Sequence, residues 1–273
     1  MASVLIERDM YNSALHLTHN PNARGRAPRY VVVNAEDGEK TKPKGVTSIL
    51  GQTLAKDLMD WAVSCTIDYL RLKLPVVTEE DLVISADEYK VKRDAGGTTG
   101  SEAHALVENY LRGQPTGGGS VEALNAFGAF KKWFEEVKPE VINVEEVIFS
   151  REFKYAGTYD GMLRIDGKVF LSDYKTTNAS RAAPNGIYIE NFIQLGAYAL
   201  AHEEQRKYEE ANGGTKLEPV EGLIVLSGKK DGKFDSATNE DIGLTLEDCM
   251  DMARRVVNLH NFMLYGKAQL GGK

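Results

Sequence analysis

The sequence predicts an α/β domain, a mixed central β-sheet flanked by helices, with a largely helical extension at its N-terminal end. Three observations predict it. Three β runs follow one another at about 141–151, 157–166 and 168–176. A helical stretch of roughly 188–211 then leads to a uniformly apolar run at 222–227. Amphipathic helical patterns stand before and after this block. A chain that visits a strand, crosses by a helix and returns to a strand builds a mixed sheet with helices laid on it.

Taken in order, 29–33 (RYVVV) reads as a short strand. Val46 to Lys73 reads mostly as helix, with Leu50, Leu54, Leu58, Trp61 and Cys65 at three- and four-residue steps. The stretch 76–93 is ambiguous and leads to a glycine-rich loop at 94–100 (DAGGTTG). Ser101 then reads as the cap of a new helix, continued by good helix formers from Ala103 to Leu111. The expected division is an extension over 1–98 and a core over 99–273. A second helix runs from about Ser120 to Val137, with Leu124, Phe127, Phe130 and Phe134 on one stripe, and Pro139 ends it. Asp166-Gly167 is a hairpin turn signal between the last two of the three β runs. After the run at 222–227 come a turn at Asp231-Gly232 and a closing amphipathic helix at about 246–265.

Composition limits the function classes. The chain has 273 residues, 42% of them hydrophobic and 27% charged, which suits a soluble globular domain. No window approaches the roughly 18 apolar residues that span a bilayer. The opening MASVLIERDMYNS has neither a signal-peptide core nor the composition of a transit peptide. The expected location is the cytoplasm, that of the host for a phage-encoded chain, with no membrane partner. Two cysteines, Cys65 and Cys249, are too few for a disulfide framework or an iron–sulfur cluster. The formal charge is −7, concentrated in 201–251, where 13 acids stand against 6 bases. That balance argues against a generic nucleic-acid coat but allows an enzyme with a local basic track.

The chemistry concentrates at 157–175 (GTYDGMLRIDGKVFLSDYK). The turn at 166–167 lies almost midway between Asp160 and Asp173, so antiparallel pairing brings both to one end of the ribbon. Asp173 and Lys175 are two apart and share a face. Two carboxylates and an ammonium suit a hard cation, a phosphate oxygen and an activated water. The plainer alternative is a hairpin with surface charges and a weak Asp173–Lys175 ion pair. His104 and Glu108, four apart on one helix face, are plausible ligands, although a helical histidine is more often a surface residue. Gln194 and Tyr198 are also four apart. Glu146 is a further ligand or an outward-facing strand residue.

Gly100-x-x-x-His104, Gly157-Thr-Tyr-Asp160, Asp173-Tyr-Lys175 and Gln194-x-x-x-Tyr198, in this order, resemble the motifs of the PD-(D/E)XK nuclease superfamily, and within it the RecB-type exonucleases. The stretch 145–201 resembles the mitochondrial genome maintenance exonuclease and phage-encoded relatives, as do 222–232 and 45–50. The resemblance covers roughly 45–265. It implies a restriction-endonuclease-like core that hydrolyses DNA phosphodiesters with Mg²⁺ or Mn²⁺; relatives that carry an iron–sulfur cluster need four cysteines, so with only Cys65 and Cys249 none is expected here. It implies His104, Asp160 and Asp173 as metal ligands, completed by the Tyr174 carbonyl, with Glu108 as a helper. It makes Lys175 the catalytic lysine, with Gln194 and Tyr198 supporting the site or touching DNA.

The implied partner is DNA with free ends, with a single-strand annealing or binding protein as a further possibility. Arg181, Arg93 and Lys92 are candidate phosphate contacts, beside Arg24, Arg26, Arg29 and Lys40 to Lys44, and the extension is a candidate channel or lid. Tyr174, Tyr188 and Trp61 are candidate base-stacking residues, with the core as the alternative for Trp61. The alternatives to an exonuclease are a structure-specific endonuclease on the same fold and a non-catalytic DNA- or partner-binding module on a nuclease scaffold.

Overall fold

The computed structural model describes residues 5–23, 27–54, 59–177 and 185–270. Its centre is a mixed sheet in the order β10-β9-β8-β7-β5, with β6 also paired to β7. These strands are β5 (Lys44–Gly45), β6 (Glu140–Ser150), β7 (Tyr155–Ile165), β8 (Lys168–Thr177), β9 (Gly222–Lys229) and β10 (Phe234–Thr238). The β7–β8 hairpin closes at Asp166 and Gly167, both left-handed (φ 49° and 83°), as a two-residue turn of this chemistry requires. β8 and β9 run parallel, and the crossover between them is helix α5 (Ile189–Ala211).

Two helical layers cover the sheet. On one face lie α1 (Val46–Thr53), α5 and α6 (Leu246–Gln269), burying Tyr155, Leu171, Leu195, Leu223 and Val257. On the other lie the end of α3 (Glu79–Leu111) and α4 (Val121–Val137), where Leu106, Phe130, Leu163, Tyr174 and Leu226 pack together. Each large apolar side chain so buried contributes roughly 1.5–3 kcal/mol, which is why period-3.6 and period-2 stripes find one another. A separate antiparallel sheet of β1 (Ile6–Met10), β2 (Leu15–His19), β3 (Tyr30–Asn34) and β4 (Lys40–Thr41) packs Leu17 and Val32 against Val147 and Phe149 of β6. Helix α2 (Met59–Lys73) pairs with the first half of α3. No described helix is long and apolar enough to cross a membrane.

Three expectations change. The stretch 94–100 is not a loop, and Ser101 is not a cap, because α3 runs unbroken through both. Its cap is Thr78, which forms a reciprocal capping box with Asp81. Inside the helix Thr98, Thr99 and Ser101 donate their hydroxyls to carbonyls four residues back, an arrangement a continuous helix carries at a small cost. The helix stays whole because α2 packs one end and the core holds Ala103, Leu106 and Val107 at the other. The boundary expected at 98/99 lies within α3, and part of the segment before it packs on the central sheet. β5 joins β7, and Val46, Ile49 and Leu50 lie in the main cluster. The helical reading of 46–73 becomes two helices, with 55–58 outside the described residues.

One irregularity of the sheet matters most. β8 pairs with Gly161 to Ile165 of β7, whereas β5 pairs with Tyr155 and Ala156. Residues 157–160 therefore border a split on that side of β7. Beyond Ser172, β8 leaves β7 and continues beside β9 alone.

Candidate active site

The split gathers the polar residues. The β7–β8 register ends with Gly161 opposite Ser172, so the next step opposes Asp160 to Asp173. Because the strands part there, the Tyr174 N–H donates to Asp160 Oδ2 at 2.6 Å instead of to a ladder carbonyl. Lys175 turns its ammonium onto Asp173, 2.8 Å from Oδ1 and 2.7 Å from Oδ2. Asp173 is 1% exposed, yet its Oδ2 has no well-directed hydrogen bond. Burial pushes its carboxyl up to about 6 against the pull of Lys175, with Asp160 adding to the rise. For Lys175, burial works against the charged form, but Asp173 and Asp160 outweigh it and hold the ammonium above the usual lysine value.

His104 arrives from α3, its ring edge-on to Tyr174 with centroids 5.2 Å apart. Its Nδ1 lies 3.5 Å from Asp160 Oδ2. A third residue completes this group and was absent from the sequence reading: Glu145. One ligand atom each of His104, Glu145 and Asp160 lies within 4.8 Å of the others. Glu145 stands in register opposite Asp160, between the pairs Val144↔Gly161 and Glu146↔Tyr159. Its φ of 54° is left-handed. Burial, then the Asp160 and Glu108 carboxylates, push its acid up to about 8, with Arg112 opposing.

Glu146 points elsewhere, into an ion pair with Arg8 of β1. An extra residue in β6 near Ile142 shifts the register, and one inserted residue inverts every later inward-or-outward assignment. The adjacent pair Glu145-Glu146 was the available signal, since alternation must turn one of the two inward.

Gln194 and Tyr198 form one wall. Gln194 Nε2 donates to the Tyr198 hydroxyl at 2.8 Å. Burial first, and the Asp173 charge second, hold that phenol well above its ordinary pKa. The Tyr198 ring lies so close to Gly157 that a Cβ there would sit 2.5 Å from Cε1. The glycine of Gly157-Thr-Tyr-Asp160 is thus a packing requirement of the tyrosine. Glu108 lines a cleft with His104, Glu145 and Asp160 but is engaged by Arg112 at 2.9 Å.

The candidate DNA contacts are not gathered in the same way. Arg181, Arg24 and Arg26 lie outside the described residues. Lys92 and Arg93 are exposed on α3, and Arg93 pairs with Asp94 at 2.9 Å. At 1.5 Å per residue, Arg93 lies about 16 Å along the helix from His104. Tyr174 is 1% exposed with its ring packed against Phe130, so it cannot stack on a base. Trp61 is exposed on α2, not core, and Tyr188 is half-buried at the start of α5.

The chemistry of the donor set fits a divalent cation. Crowded carboxylates are unfavourable without a counter-charge, and among the described residues Lys175 and Arg112, with the His104 ring beside them, face Glu108, Glu145, Asp160 and Asp173. Burial beside the Asp160 and Glu108 carboxylates, which raises the Glu145 acid, marks negative charge that a cation would offset. Imidazole nitrogen with carboxylate oxygen suits Mn²⁺ well and Mg²⁺ adequately.

Comparison with known proteins bears on the same residues. The family model of the PD-(D/E)XK nuclease superfamily matches residues 116–270, more than half of the chain. The matched span includes Glu145, Asp160, Asp173, Lys175, Gln194 and Tyr198 and begins after His104. No curated protein matches. Among solved structures, a "Putative exonuclease" from Eubacterium rectale is 15% identical, with a TM-score of 0.36 over 64% of this chain and 69% of that one. The protein SSO0001 is 14% identical, with a TM-score of 0.28 over 75% of this chain and 87% of that one. At that similarity neither structure bears on activity.

Proposed function

The chain belongs to the PD-(D/E)XK nuclease superfamily, and from that premise we propose that it is a metal-dependent DNA exonuclease of the RecB-type branch, phage-encoded and acting in DNA recombination, replication or degradation. The observation that supports this most is the meeting of His104, Glu145 and Asp160 beside Asp173 and Lys175 at the split in the sheet.

His104, Glu145 and Asp160 would hold Mg²⁺ or Mn²⁺, with Asp173 and the Tyr174 carbonyl alongside. Such an ion, when bound, polarises a phosphate oxygen and makes a bound water acidic. Lys175 presents a charged ammonium at neutral pH, where it offsets negative charge growing on the phosphate. Asp173 holds that ammonium in place through both carboxylate oxygens. Gln194 and Tyr198 close the wall beside Asp173 and keep bulk water from its buried side. Lys92 and Arg93 serve as phosphate contacts on α3, Arg181 as a further phosphate contact, and the extension over 1–98 as a channel or lid.

The test is digestion of end-labelled linear DNA, single- and double-stranded, beside a closed circle. Mg²⁺, Mn²⁺ and EDTA are compared, for wild type and Lys175→Ala. Loss of linear DNA with metal, a spared circle and an inactive Lys175→Ala support the exonuclease. Cutting of the circle replaces it with an endonuclease. Binding without cleavage of any substrate leaves a non-catalytic module.

A further inference from the structure

Glu145 occupies a conformation its own chemistry disfavours. A non-glycine residue at φ 54° within a strand is held only where its surroundings over-determine it. A contact to the peptide before it comes from the far end of α3. Arg112, the residue that ends that helix, donates from Nη2 to the Val144 carbonyl at 3.0 Å. That carbonyl belongs to the peptide entering Glu145. From Nε the same guanidinium donates to Glu108 Oε1 at 2.9 Å. A planar fork can tie a backbone oxygen and a carboxylate at once, in a fixed relation, which a lysine cannot do. Arg112 follows His104 by two helical turns on α3, so the clamp also sets the distance between the helix that brings the histidine and the strand that brings the glutamate.

We propose that Arg112 is a positioning residue of the metal site: by fixing the Val144 carbonyl it holds Glu145 in the left-handed conformation that turns its carboxylate toward His104 and Asp160. The inference rests on the metal-site reading above and adds a residue to it. Arg112 does not touch the cation. Its side chain is two-fifths exposed, and its place is behind the ligand.

The sign of the effect separates this role from a merely electrostatic one. Arg112 is a positive charge beside a cation site, so by Coulomb's law alone its removal tightens metal binding. Positioning predicts the opposite. The measurement is Mn²⁺ affinity by calorimetry and by electron paramagnetic resonance, at neutral pH without DNA. It is made on wild type, Arg112→Ala, Arg112→Lys, Glu145→Gln and the double variant Arg112→Ala/Glu145→Gln. Tm in EDTA confirms that each is folded. Arg112→Ala is expected to weaken Mn²⁺ about 10- to 100-fold. Arg112→Lys restores the charge without the fork and is expected to recover only part of the loss. The double variant is expected to bind no more weakly than Glu145→Gln alone, because both changes remove one ligand. Unchanged or tighter Mn²⁺ binding by folded Arg112→Ala overturns the proposal and leaves the metal site standing. So does a double variant whose losses simply multiply. Absence of Mn²⁺ binding by wild type overturns both readings together.

Discussion

Removing the Glu145 charge should stabilise the metal-free protein, and only at high pH. Folding raises the Glu145 acid from 4.5 to about 8, chiefly by burial and by Asp160. Between those values the native state binds more protons than the unfolded chain. Stability therefore falls as pH rises from about 5 and levels off only above about 8. Each unit is worth about 1.4 kcal/mol, so the loss is at most about 5 kcal/mol, and water at the rim of the cleft reduces it. Asp173, raised from 3.8 to about 6 by burial, adds a loss of the same sign over the lower part of the window. The assay is urea unfolding in EDTA from pH 5 to 9, for wild type and Glu145→Gln. The glutamine variant is expected to be more stable than wild type by about 2–4 kcal/mol at pH 9, with the gain gone at pH 5, where the wild-type acid is already protonated. Saturating Mn²⁺ is expected to reverse the order, because wild type then gains binding free energy that the variant lacks. A Glu145→Gln protein no more stable than wild type in EDTA at pH 9 would refute the picture of an uncompensated carboxylate cluster.

Three further outcomes follow from the geometry. Lys175→Ala is expected to lower the cleavage rate by about 10²- to 10⁴-fold while Mn²⁺ still binds, read by single-turnover digestion beside calorimetry. Gly157→Ala forces a methyl to 2.5 Å from the Tyr198 ring and 3.2 Å from Val46 Cγ2. It should cost about 1–3 kcal/mol, a Tm drop of several degrees by calorimetry; an unchanged Tm would show that the ring can retreat. Glu146→Gln loses only the pair with Arg8, so Mn²⁺ affinity should match wild type and stability should change by less than about 1 kcal/mol.

Much of the site could be read before any coordinates. The Asp166-Gly167 turn fixes the β7–β8 register, and that register alone opposes Asp160 to Asp173 and puts Lys175 on the same face. Spacings of four place Gln194 against Tyr198, and the structure adds a hydrogen bond between them. What local pattern misjudged was continuity and phase. Glycines at 96, 97 and 100 look like a break, yet α3 passes through them because packing at both ends outweighs roughly 1 kcal/mol of propensity per glycine. Glu145 was missed for a different reason. A bulge shifts the alternation of β6, and nothing in a single strand's sequence shows where its partner inserts no residue.

The sequence by itself determined the layered α/β class, the hairpin, and which acids and which lysine stand at its end, because turn chemistry and side-chain periodicity are local. Only the tertiary structure decided that β7 and β8 separate at Asp160, that α3 brings His104 into the split, and that Arg112 bridges to the peptide before Glu145. Those contacts join residues that the chain holds far apart, and their geometry depends on how whole layers pack, which no short stretch of sequence encodes.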